Sequence, residues 1–220
     1  MKRRPWIVAA MFAFTMAVAS PLAAPDQFKS SASEKTGEDT YYIASHGVTV
    51  TAPAGWRVVE GTSLSDLMVG ADNLINGGKG GSPDVVRKMV ANQTTALFTF
   101  HQLPPSPNEP FLPATITGIA EGLLLAPGIN TGKDYLLHMK PQLERSPIPT
   151  VVESDFSKRM IGGHSFDRMD VVMVTLPDIL KQRQYATIHG REAVVFIVSY
   201  KTDEELAVLD KVLDSIKLDW

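Results

Sequence analysis

The run AVVFIVSY at 193–200 is apolar almost throughout and does not alternate. A strand with one wet face alternates apolar and polar side chains, whereas a strand covered on both faces does not. The octapeptide therefore predicts a central strand of a sheet packed above and below. Strand patterns at 151–158, 166–175 and 182–188 precede it, and His189-Gly190-Arg191-Glu192 predicts the hairpin into it. Nearer the start, 41–44 and 48–51 read as short strands around His46-Gly47, with Val48 and Val50 alternating with Thr49 and Thr51. Pro53 and Gly55 turn the chain, and an extended run resumes at Trp56. The stretch 95–103 predicts a strand with Leu97, Thr99, His101 and Leu103 on one side and Phe98 and Phe100 on the other, and 115–125 predicts another.

Helical spacing is weaker until the end of the chain. Leu64, Leu67, Met68 and Ala71 share a face over 62–75. Ser82 and Pro83 suit the N-cap and first turn of a helix carrying Val85, Val86, Met89 and Val90. A short helix over 131–140 has to end or bend near Pro141. The final helix is the best marked: Thr202 and Glu205 form a capping box, Asp203 and Glu204 complement the helix dipole, and Leu206, Leu209, Leu213 and Ile216 form its apolar stripe. Five prolines between 104 and 113 exclude regular structure and predict a loop. The elements add up to an α+β fold, a largely antiparallel sheet with helices on both faces.

The amino-terminal residues change the picture from fold to address. Lys2, Arg3 and Arg4 precede the uncharged apolar run 7–19, which is short for a membrane span of ~20 residues. Ala17-Val18-Ala19 offers a small-x-small cleavage pattern, whereas a cut after Ala24 would abut Pro25. Residues 1–19 are therefore expected to be a signal peptide, 20–40 a flexible polar leader, and 41–220 a single domain. The expected destination is the periplasm or the exterior. The later run 116–125 is interrupted by Gly118, Glu121 and Gly122, so stable membrane insertion is not expected. The chain has no cysteine, which excludes disulfides, thiolate ligands, a cysteine nucleophile and a lipid anchor of the lipoprotein kind. Loss of the three leading cations makes the net charge of −3 more negative still, which disfavours nucleic acid and anionic lipid.

Three stretches carry a family likeness: VTVTAPAGWRVVEG at 48–61, IGGHSFDRMDVVMV at 161–174 and REAVVFIVSYKTDEELAVLDKVLDSIKL at 191–218. Together they resemble the PsbP-like superfamily, which groups the photosystem II extrinsic protein PsbP, a eukaryotic Ran-GTPase release factor and small bacterial periplasmic proteins. The resemblance implies an α/β/α sandwich around an antiparallel sheet. It also implies binding or assistance of assembly rather than catalysis. Its shared positions are packing and turn positions, so no catalytic residue carries over.

Candidate chemistry is sparse. NGGKGGSPDVV at 76–86 sets four glycines around Lys79 ahead of a helix start, but a phosphate loop of the G-x-x-x-x-G-K-[ST] kind fails, because Gly80 follows Lys79 and Asn73 stands where the first glycine belongs. The stretch is expected to be a connector. His46, His101, His138, His164 and His189 include no local zinc spacing, and three of them adjoin glycines, as turn residues do. Met169 and Met173 share a strand face ~13 Å apart, too far for one copper ion, and are expected in the core. Trp56 is expected to pack under the sheet, and His101 to be a partly buried strand residue. Phe111 and Leu112 in the proline loop could serve a partner, although a plain connection is favoured. There is no G-x-S-x-G nucleophile elbow. The sequence thus assigns no catalytic, cofactor or metal residue. It points to an exported, non-catalytic module that binds or helps assemble an envelope protein or binds a small ligand. The alternative is a periplasmic hydrolase with a site gathered from distant residues.

Overall fold

In the computed structural model, which describes residues 29–30, 33–37, 39–59, 94–103, 113–124, 126–146, 148–175 and 178–220, alternation along the strands sorts side chains onto the two faces of one large sheet. Its strands are β1 (Lys29–Ser30), β5 (Arg57–Val58), β6 (Thr94–His101), β7 (Thr115–Gly122), β8 (Thr150–Val152), β9 (Ser157–Ile161), β10 (His164–Thr175), β11 (Asp178–His189) and β12 (Glu192–Tyr200). The spatial order is β1-β6-β7-β12-β11-β10-β8, with β5 beside β6 and β9 beside β10. Only β1–β6 is parallel among these pairings. A second sheet, ordered β13-β4-β3-β2, joins β2 (Ser33–Gly37), β3 (Thr40–Ile43), β4 (Val48–Thr51) and β13 (Lys217–Leu218).

The strand β12 behaves as AVVFIVSY requires. Every residue from Ala193 to Tyr200 is buried, between β7 and β11. Ala193, Val195 and Ile197 face helix α1 (Gly132–Leu143), whose Tyr135, Leu136, Met139 and Leu143 complete that core with Met169 and Met173. Val194, Phe196, Val198 and Tyr200 face helix α2 (Asp203–Ser215) and the second sheet, meeting Leu209, Leu213, Ile43 and Val48. The layers are thus α1, the large sheet, then α2 beside the small sheet. A side chain of the Val or Leu class contributes about 1.5–3 kcal/mol when fully buried, so both helices are held by their apolar stripes. The α2 face also carries a run of rings, Tyr41, Phe100, Phe98, Phe196 and Phe166, with successive centroids 5.1–5.9 Å apart. Gly118 makes room for it, since a Cβ there would lie 2.6 Å from the Phe98 ring.

The cap read from sequence at the final helix is formed. Thr202 Oγ1 accepts from the Glu205 amide, and Glu205 Oε2 accepts from the Thr202 amide. Thr131 and Asp134 build the same box at α1. The start of α1 is pressed against β11: a Cβ on Gly132 would lie 1.9 Å from the Ala186 carbonyl oxygen. Asp167 Oδ2 on β10 accepts from the Lys133 amide and fixes the same turn.

Several boundaries differ from the sequence reading, each for a local reason. The helix α1 does not stop at Pro141 but runs to Leu143; proline here costs only the bond to the carbonyl of exposed Leu137, in the last turn. The expected strand at 151–158 is two strands, because β8 and β9 pair with successive halves of twelve-residue β10 and the chain bends between them at Ser154-Asp155. In β6 a bulge at Leu97 breaks the expected alternation: Ala96 pairs with Ile119 and Phe98 with Gly118, and Leu97 joins Phe98 in the α2-side core instead of sharing a face with His101. Strand pairing begins upstream of Tyr41, at β1 and β2, where backbone bonds rather than apolar side chains hold polar residues. The expected signal peptide, the two expected helices between 62 and 90, the glycine stretch and the proline loop up to Leu112 lie outside the described residues. Among those described, no helix is long and apolar enough to cross a membrane.

Candidate binding site

Residues directly opposite on paired strands share a face, so rows can be followed across the large sheet. On the α1 face one row reads Arg57, His101, Thr115, Ser199, Gln182, and the next Thr99, Thr117, Ile197, Gln184. Helix α1 packs over β8, β10 and β11. The polar rows start at β11 and run outward to β6, forming a polar floor where the other face is apolar. Thr99 and Gln184 are 0% exposed and Thr117 is 1% exposed, so this is interior, where an unpaired polar atom is costly.

The floor is partly wired together. Gln184 Nε2 donates to Gln182 Oε1 at 2.6 Å, and Gln182 Nε2 donates to Ser199 Oγ at 3.1 Å. The Thr99 and Thr117 hydroxyls lie 3.1 Å apart. The amide chain then ends in Gln184 Oε1, which has no partner among the described residues, and His101 Nδ1 has none there either. Burial, helped by the nearby Arg57 charge, pushes His101 down to about 4, so its imidazole is neutral at neutral pH. Hydroxyls, amides and a neutral imidazole can donate to and accept from an uncharged polar molecule.

Four residues past Thr117 on the same face stands Glu121, roughly 13 Å along β7. It is 1% exposed. Its Oε2 accepts a 2.6 Å bond from the Tyr135 hydroxyl of α1. Among the described residues its Oε1 has no partner, and neither has the hydroxyl of Thr94, the residue directly opposite on β6. Burial raises Glu121 to about 7, against the lowering effect of the Tyr135 bond. Burial, with the facing carboxylate, raises Tyr135 as well.

A second cluster lies at one end of the sandwich. The Trp220 indole N–H donates to the His46 carbonyl at 2.8 Å, and the ring packs against His189 at 4.3 Å and His164 at 4.8 Å. His46 Nδ1 lies 2.8 Å from Ser45 Oγ, and its Nε2 lies 3.2 Å from Glu192 Oε2. His46, His164 and His189 do sit at turns, as their glycine neighbours suggest, but the fold brings all three turns to one place. Among the described residues no group of three or more His, Asp or Glu is arranged to hold a metal ion.

Of the remaining sequence candidates, His138 is exposed on α1, and the others that are described fall into packing roles. Met169 and Met173 are buried in the α1-side core, and Trp56 is half-buried against the α2-side core. His101 is the partly buried strand residue expected, although its place on the polar floor was not. The floor itself was missed. Its one available signal was Glu121, a lone charge inside the otherwise apolar run 116–125.

No family model matches the sequence, and no curated protein does either. Solved structures do. The chain is similar to cyanobacterial PsbP from Synechocystis sp. PCC 6803, with TM-score 0.50 and 13% identity over 84% of this chain and 96% of that one. It is also similar to LpqN, involved in cell envelope biogenesis of Mycobacterium tuberculosis, with TM-score 0.45 and 15% identity over 85% of this chain and 89% of that one. The fold is PsbP-like, as the three sequence stretches implied.

Proposed function

We propose that this PsbP-fold chain is an exported, non-catalytic binding module whose ligand is a small polar molecule held on the floor between β6 and β11. The observation that carries the reading is Gln184: fully buried, its amide relayed through Gln182 to Ser199, and its Oε1 left without a partner. A buried acceptor without a donor costs about 1–3 kcal/mol, which a ligand hydroxyl or amide would offset. Export is supported by the charged start and the apolar run 7–19, followed by a small-x-small site. Native mass spectrometry of gently isolated protein tests the binding. The wild type should carry a small-molecule adduct that Gln184→Met loses while keeping its fold. An adduct retained undiminished in Gln184→Met, or no adduct and no thermal shift with any neutral polyol or amide, would overturn the reading.

A second reading, an ester hydrolase, is favoured by one specific arrangement: Ser45 Oγ lies 2.8 Å from His46 Nδ1 and Glu192 Oε2 lies 3.2 Å from His46 Nε2, a hydroxyl, a base and a carboxylate in sequence. It ranks second because Ser45 is exposed on a 3-10 turn, Ala44–His46, rather than in a cleft. Loss of activity on a p-nitrophenyl ester panel in Ser45→Ala would support it, and inert wild-type protein would end it.

A further inference from the structure

We propose that Glu121, Thr94 and Tyr135 form a subsite for a protonated primary amine, so that the ligand of the floor carries an ammonium group at one end. The inference rests on the polar-floor reading and names the chemistry of its far end. Three features of the site converge. Glu121 is the charged residue of the buried α1 face of β7, and its Oε1 has no hydrogen-bond partner. Thr94 lies directly across β6–β7 from it with an unpartnered hydroxyl, so two polar atoms without partners come from cross-strand neighbours. Tyr135 approaches from α1 and occupies only Oε2, leaving the other carboxylate oxygen for a guest.

The neighbours set the sign of that guest. Among the described residues, Tyr135 on α1 is the titratable group that faces the carboxylate, while Thr94 on β6 and Ala193 on β12, in the same row, are neutral. Oε1 of an ionised carboxylate can only accept, and the Thr94 hydroxyl can accept as well. Gln184 Oε1, the unpartnered atom of the floor proper, is also an acceptor. A donor-rich head is therefore what the face lacks. An ammonium supplies three N–H donors and the positive charge that makes a buried carboxylate tolerable, whereas a hydroxyl supplies one donor and no charge. A guest carboxylate or phosphate would meet like charge.

The test uses the whole chain and simple probes: n-butylamine, n-butanol and butyrate, titrated by calorimetry and by protein NMR. Butylamine should bind and the other two should not. Because Glu121 titrates near 7, butylamine affinity should rise about tenfold between about pH 6 and about pH 8. Binding at the lower pH should release close to one proton, read from calorimetry in buffers of different ionisation enthalpy. Glu121→Gln, an uncharged isostere that still accepts from Tyr135, should lose both the binding and the proton release. Equal binding of butanol and butylamine, or undiminished amine binding by Glu121→Gln, overturns the proposal. If neutral polyols bind in a Gln184-dependent way while amines do not, the floor stands and the amine subsite falls. If amines bind through Glu121 but Gln184→Met changes no ligand's affinity, the subsite stands and the floor reading falls.

Discussion

Glu121 gives stability a pH dependence that runs opposite to ordinary acid denaturation, and replacing it by glutamine should remove that component. The carboxyl is 1% exposed, accepts one bond, from Tyr135, and is raised from 4.5 to about 7. Between those values the folded protein holds a proton that the unfolded chain has released, so this group favours the fold most at the acid end. Its contribution falls as pH rises from 4.5 and is gone above about 7. At about 1.4 kcal/mol per unit, the shift corresponds to about 3 kcal/mol. His101 acts in the other sense. Lowered from 6.5 to about 4, it favours the fold above 6.5 and loses that contribution, about 3 kcal/mol at most, as pH falls towards 4. The two slopes oppose each other from 4.5 to 6.5, which flattens the wild-type curve and conceals both. The assay is therefore a difference: urea unfolding of wild type and Glu121→Gln at matched pH from about 4.5 to about 8, in which other titrating groups cancel. Wild-type stability relative to the variant should fall by about 3 kcal/mol across that range. His101→Gln should give the mirror result, with wild-type stability rising relative to the variant. A Glu121→Gln difference that stays constant within about 0.5 kcal/mol would refute the placement of Glu121 as a buried, proton-holding carboxyl.

Other perturbations probe the frame around the site. Val195→Asp puts an unpaired carboxylate at a fully buried position of β12 and should prevent folding; soluble protein with native near-ultraviolet dichroism would contradict the doubly covered strand. Gly132→Ala drives a methyl group into the Ala186 carbonyl and should cost about 2–4 kcal/mol, read as a lowered urea midpoint with unchanged slope. Arg159→Ala removes the ion pairs from β9 to Asp210 and Asp214 of α2; the site is partly exposed, so the loss should stay near 1 kcal/mol and shrink in high salt. Intact-mass analysis of exported protein should find a new amino terminus near Ser20, whereas a full-length mass would remove the signal-peptide reading.

What the sequence discloses and what it hides follow from one asymmetry. Patterns that stay within one element are legible: AVVFIVSY announces a doubly covered strand, and Thr202 with Glu205 announces where α2 begins. Features made by pairing are not. The Leu97 bulge depends on how β6 meets β7, and the split of 151–158 depends on β10 being long enough to pair with both halves. The polar floor is of the second kind. Gln182 and Gln184 look like the wet face of an alternating strand until the register sets them opposite Ser199 and Ile197 of a fully buried one. That register is fixed from the opposite side of the sheet. Val194, Phe196 and Val198 must meet α2 and the small sheet, and Phe98 must lie over Gly118. A one-residue slip of β7 or β11 against β12 would turn an apolar set towards the wrong layer. The same constraint leaves Thr115, Thr117, Glu121, Gln182 and Gln184 no choice but to face α1. The floor is thus positioned by the apolar face it does not belong to, and polar substitutions at Phe98 or Phe196 should disturb the ligand binding proposed at Gln184 without touching it.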